Sequence, residues 1–173
     1  IIYIYFCWTL AGWIWAIPPL VLFISYSILT PSTKYDKHRF HNLQTLGGIC
    51  LPSFFWLIVF LIIKDDRVFA LFLTTFSAHL PMIGFIRFKR AKSPLSTLFL
   101  ITTGSFLATI FMGLFLFDQL TVLGISFLSI FGISFLFSGL VSLKGYDMDI
   151  KRWLIQGTCS FMATIPLLLG VLK

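Results

Sequence analysis

Pro94 to Leu143 is a run of 50 residues whose only charged side chain is Asp118. As one straight helix it would extend roughly 75 Å at about 1.5 Å per residue, more than twice the hydrocarbon thickness of a bilayer, about 30 Å. The polar pair Asp118-Gln119 is where such a chain turns back, so the run predicts two membrane-crossing helices joined by a tight turn. A water-soluble fold has no way to hide an apolar stretch of this length.

The remainder of the chain agrees. Of 173 residues, 58% are hydrophobic and 11% charged, with a mean hydropathy of +0.99. That composition lies far outside the range of soluble domains. Charges and turn residues divide the sequence into six apolar stretches, at 3–29, 43–63, 68–86, 95–117, 120–143 and 153–172. Each is long enough to cross a bilayer with some tilt. The intervals between them are too short for a soluble domain. The expected fold is therefore all-α: a polytopic integral membrane protein, one six-helix transmembrane domain over 1–173.

Charge sorts by loop. Lys34, Lys37 and Arg39 lie in one interval, Arg87, Lys89, Arg90 and Lys92 in a second, and Lys144, Lys151 and Arg152 in a third. The alternate intervals hold Lys64 and Arg67, and the C-terminus Lys173. Ten against three is a strong asymmetry, and basic short loops face the cytoplasm. Both termini are then expected on the non-cytoplasmic side of a bacterial or archaeal plasma membrane, or of an organelle inner membrane. The formal charge of +7 is explained by those loops, so no nucleic-acid partner is expected. The expected partners are the bilayer and other membrane subunits.

Cys7, Cys50 and Cys159 fall in three different apolar stretches without metal-binding spacing, and read as packing thiols. Small residues mark expected helix contacts: Ser105, Thr109 and Gly113 at intervals of four in the fourth stretch, and Ser129, Gly132 and Gly139 in the fifth. Small side chains let helix backbones approach where lipid is as apolar as Leu. Pro18-Pro19, Pro52, Pro81 and Pro166 each remove a backbone donor and free a carbonyl one turn back.

Two places can carry chemistry. His79 is the deepest residue that titrates near neutral pH, and with Thr75 and Ser77 it forms a candidate intramembrane polar site. A charged group at that depth is costly, so the ring is expected to face the bundle interior. A proton relay or a hydrogen bond to a ligand fits there, as does a purely structural imidazole. The second place is the basic interval, where Tyr35, His38, Arg39, His41 and Asn42 are candidates for a lipid headgroup. It lacks the paired carboxylates and the histidine motifs of membrane phosphotransferases and lipid phosphatases. Asp147 and Asp149 lack the other ligands of a calcium loop. No metal site, no resident cofactor and no catalytic constellation is expected, with lipid, quinone or pigment contact left open. Three functions fit these residues: a non-catalytic subunit of a membrane complex, a small-solute or proton-coupled transporter around His79, or a lipid-binding or lipid-modifying protein using residues 35–44.

Overall fold

The computed structural model describes the backbone of residues 1–29, 43–90, 128–134, 136 and 149–171, and side chains over much of these ranges. All described structure is helical: α1 (Ile2–Ala11), α2 (Trp13–Leu29), α3 (Leu43–Ile63), α4 (Val68–Arg90), α5 (Asp149–Met162) and α6 (Ile165–Val171), with a further helical segment at 128–134. Among the described residues, no helix is long and apolar enough to cross a membrane.

The apolar stretch 3–29, read from sequence as one helix, is two. The break is Gly12, at φ +101° and ψ 170°, a conformation reserved for a residue without Cβ. Its N–H closes α1 on the Trp8 carbonyl at 3.0 Å, and its own carbonyl accepts from Trp15 N–H at 3.1 Å to open α2. The stretch 153–172 is likewise divided at Ala163-Thr164, just before Pro166. Pro166 stands in the first turn of α6, where its missing N–H is one the helix would leave unpaired in any case. By contrast Pro18, Pro19, Pro52 and Pro81 sit inside helices that continue through them.

Between α3 and α4 the chain turns in four residues. Lys64 adopts φ 59° and donates its N–H to the Phe60 carbonyl at 2.7 Å, a left-handed helix cap on a non-glycine residue. Asp65 then accepts from the Arg67 backbone N–H at 2.9 Å and pairs with the Arg67 guanidinium at 2.7 Å. The tightness of this turn makes α3 and α4 antiparallel neighbours.

Direction follows from cross-helix contacts. The backbone of Gly157 on α5 meets Gly48 on α3, and Phe161 stacks on Trp56. The partners advance together, so α5 runs parallel to α3 and antiparallel to α4. The first turns of α3 and α5 and the last turn of α4 thus share one end of the bundle. That end receives Arg87, Lys89 and Arg90 from α4, and Lys151 and Arg152 from α5. The Lys64–Arg67 turn lies at the other end, and Gly12 lies there too, lining one cleft with Asp66. Helix α1 rises to that end from the level of Ser53 and Phe76, which Tyr3 touches, and α2 returns from it.

The core is α4. Its residues Val68 to Leu73 and Phe76 are buried with Cys7, Trp15, Leu22, Trp56, Leu57, Ile130 and Leu167. Trp15 is the aromatic hub, with ring centroids 4.3 Å from Phe60, 5.1 Å from Phe69 and 4.8 Å from Phe72. Polar side chains share the interior with this apolar core, and large apolar side chains also lie on the surface. Ser53, Thr74, Thr75, Ser77, His79, Ser134, Gln156, Ser160 and Thr164 are buried, while Leu20, Phe54, Phe55, Ile58, Ile62, Leu128 and Leu154 are exposed.

Candidate functional site

Proline and glycine together build a junction where three helices meet. Pro52 has no N–H for the Gly48 carbonyl one turn earlier, so that carbonyl is released from the ladder of α3. It turns toward α5, where a Cβ built on Gly157 would stand 2.9 Å from the Gly48 oxygen. Only a glycine fits at 157. With hydrogen in place of a side chain, the two backbones approach at a distance that admits Cα–H to carbonyl contact.

One residue before this crossing, Gln156 projects between α3 and α4 and meets His79. Its Nε2 lies 3.1 Å from His79 Nδ1. With the amide N–H donating, Nδ1 is the acceptor and the ring proton resides on Nε2. His79 is fully buried and Gln156 nearly so, at 0% and 4% exposure. The Ile49 carbonyl of α3 also lies near the imidazole. Nevertheless His79 Nε2 has no hydrogen-bonded partner among the described residues, and the same holds for Trp56 Nε1. A buried donor left unsatisfied costs about 1–3 kcal/mol. His79 Nε2 is thus where the junction has an unfilled bond.

Thr75 and Ser77 are buried but bond to their own helix. Thr75 Oγ1 donates to the Phe72 carbonyl at 2.5 Å and Ser77 Oγ to the Leu73 carbonyl at 2.8 Å. Thr74 does the same toward Ala70 at 2.7 Å. Such back-bonds satisfy a hydroxyl inside a dry bundle without recruiting a second helix.

Other hydroxyls tie elements together. Tyr3 Oη and Ser53 Oγ are 2.9 Å apart, fixing α1 on α3, and Ser53 Oγ also reaches the Cys50 carbonyl at 2.9 Å. Ser129 Oγ donates to the Ala163 carbonyl at 2.7 Å, in the break between α5 and α6. Ser134 Oγ donates to Ile130 at 2.6 Å and approaches the Ala78 carbonyl of α4 at 3.4 Å. At Gly132 a Cβ would meet nothing within 4 Å. Ser105, Thr109, Gly113 and Gly139 lie outside the described residues, as do Tyr35, His38, Arg39, His41 and Asn42.

Gln156 and Gly157 are the residues that sequence reasoning missed. A signal was present: Gln156 is the only amide in the last apolar stretch and Gly157 follows it directly. Cys7 is buried and Cys50 and Cys159 are half-buried, all three as free thiols. Among the described residues no group of His, Cys, Asp or Glu is gathered as a metal site. Chemically, the junction can serve as a polar clamp between α3, α4 and α5, with His79 Nε2 as its unpaired donor among the described residues. No protein-family model, curated protein or solved structure matches this chain.

Proposed function

We propose that the protein is a non-catalytic integral membrane subunit, a helical scaffold that packs within a larger membrane complex. One observation carries this: most of the buried polar side chains described bond to helix backbones or across helix interfaces, while large apolar side chains face outward. Tyr3–Ser53, Gln156–His79 and Ser129–Ala163 each join two elements. Trp8 and Trp13 are each 61% exposed, Ile58 41% and Leu128 72%. An exterior of that kind suits lipid and apolar partner helices, and interior polar bonds are what remains to specify packing when lipid solvates the outside. The helix positions of Arg87, Lys89, Arg90, Lys151 and Arg152 fall at the common end of α3, α4 and α5, which supports a cytoplasmic orientation of that end.

The test is extraction and mass. Full-length tagged protein should stay in the membrane pellet through alkaline carbonate, then emerge in mild detergent as a discrete species heavier than the 19.7 kDa chain. Release by carbonate, or a stable functional monomer in detergent, contradicts the proposal.

A second function, proton-coupled transport around His79, draws on its buried Nε2, which has no partner among the described residues. It requires proton or solute flux in proteoliposomes that His79→Gln abolishes. Absence of flux from the reconstituted wild-type protein removes it.

A further inference from the structure

At the end of the bundle opposite the basic helix ends, the α1–α2 break opens a cleft of about 370 Å³. Its walls include Gly12, Trp13, Trp15, Phe60, Asp66 and Phe69. Four aromatic residues and one acidic residue thus border a space of this size. Trp15 is held rigidly by Phe60 and Phe69. Trp13 is 61% exposed and has no ring partner among the described residues. Gly12 leaves the floor open, because a Cβ there would touch nothing within 4 Å.

Charge decides the class of ligand. Asp65 is paired with Arg67 at 2.7 Å, whereas Asp66 has no ion pair among the described residues. An anion would be repelled by Asp66. A bare divalent cation would need several more oxygens than this cleft offers. A large, weakly hydrated cation is attracted both by the aromatic faces and by the carboxylate. The Lys64 ammonium, 5.6 Å from the Phe60 ring centroid, already makes this kind of contact beside the cleft.

We propose that this cleft binds an organic ammonium group, such as the quaternary ammonium of a zwitterionic lipid headgroup or of a free small cation. Trp13, 61% exposed, supplies the open π face and Asp66 the counter-charge, while the buried Trp15 ring backs the wall. The chemistry of the cleft does not depend on whether the bundle is a subunit of a complex.

Calorimetric titration of the full chain in a maltoside detergent, which contains no ammonium, tests it. The probes are tetramethylammonium chloride, short-chain phosphatidylcholine below its micelle-forming concentration, and short-chain phosphatidylglycerol as the ammonium-free control. Tetramethylammonium should bind, sodium at equal ionic strength should not, and phosphatidylglycerol should not compete. Asp66→Asn should weaken binding about tenfold, and Trp13→Ala more than Trp13→Phe. Competition by phosphatidylcholine identifies a lipid headgroup as a ligand; binding of tetramethylammonium without that competition identifies a free cation. Both support the site. No tetramethylammonium binding, or binding that Asp66→Asn leaves unchanged, overturns it. Asp66 and Trp13 are exposed, so their replacement leaves the fold intact, which an unchanged thermal midpoint verifies.

Discussion

Gly157 carries the sharpest constraint on any single position. Alanine there would set a methyl 2.9 Å from the Gly48 oxygen, a backbone atom that cannot rotate away. Gly157→Ala should lower stability by about 1–3 kcal/mol, as overpacking does in cores. Gly47→Ala, where a Cβ meets nothing within 4 Å, should be neutral or slightly stabilising. Equal effects in a thermal-shift comparison of the two variants would refute the close crossing. Gln156→Leu removes the described hydrogen-bond partner of His79 and should cost about 1–2 kcal/mol, less than a similar loss in a soluble core. His79 was legible in the sequence as the deepest ionisable group. Its partner was not: Thr75 and Ser77 are nearer along the chain, but their hydroxyls satisfy their own helix instead. Which acceptor a side chain takes depends on helix crossings, and those depend on glycines whose role shows only in three dimensions. Asp65 makes a pH prediction. The Arg67 side chain, and then its backbone N–H, hold the Asp65 carboxyl below its ordinary value of 3.8. Because the folded value is depressed, the turn's contribution is present above the ordinary carboxylate range and is lost as pH falls through the lowered value. Carboxyl chemical shifts should show Asp65 titrating below the ordinary carboxylate value, and Arg67→Ala should raise its midpoint.

At the scale of the element, α3 occupies the stretch 43–63 read from hydropathy, and α4 starts at the expected Val68. Both are bounded by charged or polar residues, and charge is a signal that hydropathy reads well. The breaks at Gly12 and at Ala163-Thr164 escaped because neither interrupts the apolar pattern. An apolar residue count measures the cost of leaving lipid, whereas a positive φ at one glycine leaves that count unchanged. Pro166 did mark its break, yet Pro18, Pro19, Pro52 and Pro81 did not, so proline alone does not decide. Gly12→Ala forces a Cβ into φ +101° and should destabilise the α1–α2 turn by about 1–3 kcal/mol. The expected readout is a lower thermal midpoint together with loss of the Tyr3–Ser53 contact. An unchanged midpoint would mean that α1 and α2 join as one helix in solution.

For the whole molecule, direction and polarity matter more than any side chain. The first turns of α3 and α5 and the last turn of α4 share one end of the bundle, as the contacts of Gly48 with Gly157 and Trp56 with Phe161 require. Beside its apolar core the interior holds hydroxyls, an amide and an imidazole, and the exterior holds Leu, Ile, Phe and Trp. Such an exterior suits the proposed membrane subunit, whose surrounding medium is itself apolar. Spin labels placed by cysteine substitution at Leu20, Ile58 and Leu128, in a background with Cys7, Cys50 and Cys159 replaced, report that medium directly in liposomes. Collision with oxygen should exceed collision with a water-soluble nickel chelate at all three, and Asp66→Cys should show the reverse. Chelate-dominated relaxation at Leu20, Ile58 and Leu128 would contradict the membrane-embedded bundle.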